Sequence, residues 1–107
     1  MTGWIPGIAD RRIEIRMEGA GLKIGLIGAG MIAGAHANAY RRMREAQVVA
    51  VTDLRPDRAR KLGERLNASV YATVAELLAD PEVEAVDICV PTPEHGQIVL
   101  AAAAARK

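Results

Sequence analysis

From Leu22 onward, short apolar runs alternate with longer stretches in which apolar residues recur every three or four positions. The runs predict buried strands at Lys23–Ile27, Gln47–Thr52, Ser69–Tyr71 and Val83–Val90. The stretches between them predict helices. Met31 to Met43 holds no proline and one glycine, Gly34. Pro56 suits a first helical turn, Ala59, Leu62 and Leu66 follow at helical spacing, and Asn67 is a stop. Thr73-Val74-Ala75-Glu76 reads as a capping box, with Val74, Leu77 and Leu78 facing inward and Pro81 beyond the end. A last helix is expected from Glu94 to about Arg106, with Thr92 and Pro93 as cap and first residue and the strong helix former Ala101–Ala105 inside it.

Four strands alternating with helices imply a parallel sheet with right-handed crossovers. The predicted class is α/β: a Rossmann-like, doubly wound parallel sheet of about four strands in the order 3-2-1-4, flanked by helices and truncated. Its ligand crevice lies at the C-terminal ends of strands one and four, where the loops after Ile27, Thr52 and Val90 converge. Residues 1–21 do not share the pattern. They mix Gly, Pro and charge, and are expected to form an N-terminal extension, disordered or adding a short strand over Ile13–Met17. Met17, just ahead of the first strand, is the expected natural start. Residues 22–107 are the expected dinucleotide-binding domain.

The turn after the first strand carries the chemistry. Gly28-Ala29-Gly30-Met31-Ile32-Ala33 is the G-x-G-x-x-A form of the dinucleotide-binding turn. Gly28 allows the tight turn, Gly30 lets a pyrophosphate approach the backbone, and Ala33 lets the helix lie close on the strand. The helix N-terminus then presents free N–H groups and its positive dipole end. Asp53 ends the second strand twenty positions after Ala33, where a carboxylate can accept hydrogen bonds from an adenosine ribose; the plainer reading is a turn aspartate ahead of Pro56. Asp53 would repel a 2′-phosphate, which favours NAD. Arg55 could pair with such a phosphate, which keeps NADP as the second candidate. Pro91, Thr92 and His95 leave strand four at the same crevice, with a structural alternative in which Thr92 caps the last helix and His95 sits on its first turn.

Composition narrows the class. The 107 residues are 50% hydrophobic with three aromatics, Trp4, Tyr40 and Tyr71, so the core is aliphatic. The net charge of +1 offers no field for nucleic acid or an anionic membrane. The basic groups at Arg41, Arg42 and Arg44 and at Arg55, Arg58, Arg60 and Lys61 read as solvated helix faces. Cys89 is the single cysteine, which excludes an intrachain disulfide and argues against a zinc site. No apolar run reaches membrane-span length, and charges from Asp10 to Arg16 interrupt any signal-peptide pattern, so a cytoplasmic protein is expected. His36 reads as a packed or surface residue of the first helix.

The segments KIGLIGAGMIAGAHANAY, VTDLRPDRA and VYATVAELLADPEVEAVDICVPTPEHGQIV resemble the glucose–fructose oxidoreductase, inositol dehydrogenase and MocA family of NAD(P)-dependent oxidoreductases. The resemblance covers about Leu22 to Lys107, and its most specific part is Thr73 to His95. It implies that Gly28, Gly30, Met31 and Ile32 contact the pyrophosphate. Asp53 would hold the adenosine ribose, and Pro91, Thr92 and His95 would line the path toward the nicotinamide. In that family a further strand with a Glu-Lys-Pro motif, whose lysine is the usual acid/base, and a larger sugar- or cyclitol-binding domain follow. The chain is therefore expected to bind cofactor without a catalytic residue of its own. A polyol substrate would belong only to a full-length parent. The alternatives are a free-standing nucleotide-binding or sensing module and a different Rossmann-like enzyme such as a methyltransferase, which the VPTPEH loop argues against. Truncation would leave strand four an open apolar edge, and self-association is expected.

Overall fold

The computed structural model describes residues 21–107. The expected extension, its short strand and the start at Met17 lie outside the described residues. The chain forms β1 (Leu22–Ile27), α1 (Met31–Arg41), β2 (Ala46–Thr52), α2 (Pro56–Leu66), β3 (Ser69–Tyr71), α3 (Val74–Leu78), β4 (Ala85–Ile88), a 3-10 turn over Thr92–Glu94 and α4 (His95–Ala104). All strand pairs are parallel, and the sheet order is β3-β2-β1-β4, as the element pattern predicts.

Most boundaries follow local chemistry that is visible in the sequence. Pro56 starts α2, and Asn67 ends it in the left-handed conformation at φ 54°. The Thr73–Glu76 capping box is formed in both directions. The ends of α1, β4 and α4 differ from expectation, α4 running His95–Ala104 instead of Glu94 to about Arg106. α1 stops at Arg41 because the Arg42 and Met43 N–H groups turn back to the Ala39 and Tyr40 carbonyls, which tightens the last turn. β4 is shorter than Val83–Val90 because the Val83 N–H turns back to the Asp80 carbonyl. Ladder bonds still flank it, from the Glu84 N–H to the Lys23 carbonyl and from the Cys89 N–H to the Ile27 carbonyl.

The core lies in two layers, one on each face of the sheet. On one face, Leu26, Val48 and Val51 pack against Ala33 and Ala37 of α1 and Ala59 and Leu62 of α2. On the other, Ile27 and Ala50 pack against Leu77 and Leu78 of α3, Val83 and Ala102 of α4. Val48 and Val51 share a face although they are three apart. The β1–β2 register shifts between Ile24 and Gly25, leaving Val49 as the extra residue of a bulge. α1 buries only Ala33 and Ala37, so its backbone lies close to the sheet and the glycine turn is anchored from both sides. Truncating a fully buried side chain such as Leu26 to Ala costs about 2–5 kcal/mol in such a core.

Candidate functional site

The three loops named from the sequence meet at the C-terminal end of the sheet. The Gly28 N–H donates to the Thr52 carbonyl at 2.8 Å, which joins the turn to β2. Gly28 itself has φ +106°, and a β-carbon there would sit 2.6 Å from the Cys89 carbonyl oxygen at the end of β4. Glycine is thus required twice over, by conformation and by the close approach of β4. Gly30 is different. It is the N-cap of α1 with φ −85°, and a β-carbon there would meet only the Arg58 Nη1 at 3.5 Å. The space above Gly30 is open, as close approach of a phosphate to the backbone needs.

Asp53 joins the turn to the start of α2. Its Oδ2 accepts the Ala29 N–H at 2.6 Å and its Oδ1 accepts the Arg55 N–H at 2.7 Å. A carboxylate has about four lone-pair sites, so each oxygen can accept one more donor. At the third loop, the His95 Nε2 lies 2.6 Å from the Val90 carbonyl and pins the first turn of α4 to the exit of β4. With Nε2–H donating there, Nδ1 is left as the ring's acceptor. Thr92 does not cap the last helix: Pro91 precedes the 3-10 turn, α4 begins only at His95, and neither has a side-chain cap. Pro91 and Thr92 are exposed at the rim, as are Met31 at 92%, Ile32 and Arg55.

Two neighbours of this crevice are not evident from the sequence. Leu54, directly after Asp53, is 88% exposed and, like Met31 and Ile32, offers an apolar side chain to solvent. Below the crevice, α1 and β4 share a polar cluster. Asp87 Oδ2 receives the Tyr40 hydroxyl at 2.7 Å and lies 2.7 Å from the His36 Nδ1, while the Cys89 thiol donates to Asp87 Oδ1 at 3.4 Å. Burial works against the Asp87 charge, but these three hydrogen bonds outweigh it and hold the carboxyl below its ordinary range. Burial, then Asp87, pushes the Cys89 thiol and the Tyr40 hydroxyl each up to about 12. Helical spacing puts His36 and Tyr40 one turn apart and strand spacing puts Asp87 and Cys89 on one face, but their meeting depends on the side chains of α1 reaching Asp87 of β4 and Cys89 just past it.

A family model described as an oxidoreductase family with an NAD-binding Rossmann fold matches residues 22–107. The chain belongs to this family. It is 38% identical over 87 residues to myo-inositol 2-dehydrogenase of Thermotoga maritima, covering 80% of this chain and 26% of that protein. Among solved structures, it is similar to myo-inositol dehydrogenase from Lactobacillus casei in complex with NAD(H) and myo-inositol. That match has a TM-score of 0.73 and 35% identity over 77% of this chain and 25% of the other. A 3-ketoreductase from Actinomadura kijaniata in complex with NADP and TDP-benzene matches with a TM-score of 0.77 and 28% identity, over 81% of this chain and 27% of that one. The chain thus spans about a quarter of the length of the family members it matches. No described helix is long and apolar enough to cross a membrane.

Proposed function

We propose that these residues form the NAD(P) site of an oxidoreductase that moves hydride between a nicotinamide and a sugar, cyclitol or similar polyol. The observation that carries the reading is the linkage of three loops in one crevice: Gly28 on Thr52 and against Cys89, Ala29 on Asp53, and His95 on Val90. The polyol class is supported by similarity to inositol dehydrogenases.

In this reading Gly30 and the N–H groups of Met31 and Ile32 at the start of α1 would hold the pyrophosphate. The ribose hydroxyls donate to the unused lone pairs of Asp53. Pro91, Thr92 and His95 wall the crevice toward the nicotinamide. The nicotinamide supplies the hydride chemistry when bound, and this chain's residues orient it. Asp53 disfavours a 2′-phosphate, and Arg55 beside it is the group that could accept one, so NAD is the preferred cofactor and NADP the second. The role of these residues is to bind and orient the cofactor.

A thermal-shift titration with NAD, NADH and NADP tests this directly. Saturation at a hundred times Kd adds about 2.7 kcal/mol to stability by mass action. A larger shift with NAD than with NADP supports the reading, and no shift with any of the three overturns it.

A further inference from the structure

Cys89 and its neighbours are not accounted for by cofactor binding. His36 Nδ1, an Asp87 carboxylate oxygen and Cys89 Sγ all lie within 4.8 Å of one another. Two separations that serve as hydrogen bonds in the ion-free cluster also match the edges of a metal site. Sγ is 3.5 Å from the His36 Nδ1 and 3.4 Å from the Asp87 Oδ1. A tetrahedral ion bonded to sulfur at about 2.3 Å and to nitrogen or oxygen at about 2.0–2.1 Å has ligand edges of about 3.5 Å. The third edge runs from Asp87 Oδ1 to the His36 Nδ1, and an ion held there would replace the present hydrogen bond between Asp87 Oδ2 and His36. Oδ2 then stays on the Tyr40 hydroxyl at 2.7 Å, an outer contact that fixes the carboxylate.

We propose that His36, Asp87 and Cys89 form a binding site for one divalent transition-metal ion of the zinc type, joining α1 to β4. The donor set decides the class: a thiolate and an imidazole select zinc or cobalt over magnesium or calcium, which take oxygen ligands. Three protein ligands leave a fourth position for water. Two of the ligands, His36 and Asp87, line an open groove of about 650 Å³ together with Tyr40, Val86, Ile88 and His95, so an ion can reach them from solvent; Cys89 lies behind this lining. The spacing of the residues carries no metal signature, because one ligand precedes the other two by about half the chain. A single cysteine excludes thiolate-rich zinc sites and leaves this mixed set open.

Cobalt(II) titration of the reduced, metal-free full chain tests the site without any cofactor. The chain has one cysteine and two histidines, so the signals assign themselves. A thiolate-to-cobalt charge-transfer band saturating at one ion per chain, with the intense visible bands of four-coordinate cobalt and displacement by zinc, is the expected result. Cys89→Ser abolishes the charge-transfer band. His36→Gln, a change at a half-exposed helix position that the fold tolerates, weakens binding at least tenfold. Tyr40→Phe keeps the band and weakens binding by about tenfold, as loss of an outer contact does. Absence of the band, saturation at one ion per two chains, or unchanged affinity in His36→Gln would each overturn the proposal.

Discussion

The Asp53 carboxylate accepts the Ala29 N–H at 2.6 Å, so the residue proposed to read the ribose also holds the glycine turn in shape. The two roles separate experimentally. Asp53→Ser removes a charge-assisted bond and lowers ligand-free stability by about 1–2 kcal/mol, measured by chemical denaturation. It also lowers the ratio of NAD to NADP affinity by about tenfold, the equivalent of one lost hydrogen bond of about 1.4 kcal/mol. Unchanged ligand-free stability would contradict the structural role, and an unchanged ratio would contradict ribose recognition.

The two glycines of the turn predict opposite phenotypes. At Gly28, alanine meets a φ of +106° and the Cys89 carbonyl oxygen at 2.6 Å. Gly28→Ala is expected to destabilise the ligand-free chain by about 2 kcal/mol or more. At Gly30 the backbone is extended and the nearest contact is the mobile tip of Arg58 at 3.5 Å. Gly30→Ala therefore changes stability by less than about 0.5 kcal/mol and removes NAD binding, because the new methyl group occupies the phosphate's place. Equal stability losses in the two variants would show that Gly30 is structurally constrained like Gly28, and NAD binding retained in Gly30→Ala would show that the space over Gly30 is not the pyrophosphate position.

This contrast marks what was legible in the sequence. Strand order, the α2 proline start, the Asn67 stop and the Thr73 capping box follow from local rules that tertiary contacts did not override. The spacing of Gly28, Gly30 and Asp53 placed them at one crevice. That Gly28 lies too close to the Cys89 carbonyl just past β4 to carry a side chain, or that Asp53 is already bonded to Ala29, was not legible, because both depend on the approach of separate strands. Thr92 shows the opposite limit: its type and position suit an N-cap, yet the double-proline stretch starts a 3-10 turn first and moves the helix start to His95. The His36–Tyr40–Asp87–Cys89 cluster needs the side chains of α1 to reach Asp87 of β4 and Cys89 just past it, which no local pattern encodes.

The Tyr71 hydroxyl donates to Asp80 Oδ2 at 2.7 Å and joins β3 to the end of α3. The bond to Tyr71, then that to the Glu82 N–H, holds Asp80 below its ordinary range, and the same contact raises Tyr71. A lowered carboxyl contributes stability above its unfolded value, and this is lost as pH falls below about 4. A raised phenol contributes stability below about pH 10, lost as pH rises past that point. Tyr71→Phe is therefore expected to lower the melting temperature across the neutral range. The difference from wild type should narrow at both extremes. A difference independent of pH would assign the effect to packing instead.

β4 pairs only with β1, and all four of its residues are half-buried, so among the described residues it is a sheet edge with apolar side chains. The opposite edge, β3, is three residues long and carries the exposed Ser69, which limits further pairing. Nothing on β4 blunts it comparably, because the Asp87 carboxylate is turned onto α1. The chain is therefore expected to self-associate, with a mass by light scattering and a melting temperature that both rise with concentration. A second apolar surface competes for this explanation: Val99 and Leu100 of α4 are 50% and 73% exposed. Leu100→Lys separates the two. Association that persists in this variant belongs to the strand edge, and association that disappears belongs to the helix face. A constant monomer mass in the wild type would show that four half-buried residues are too short an edge to pair.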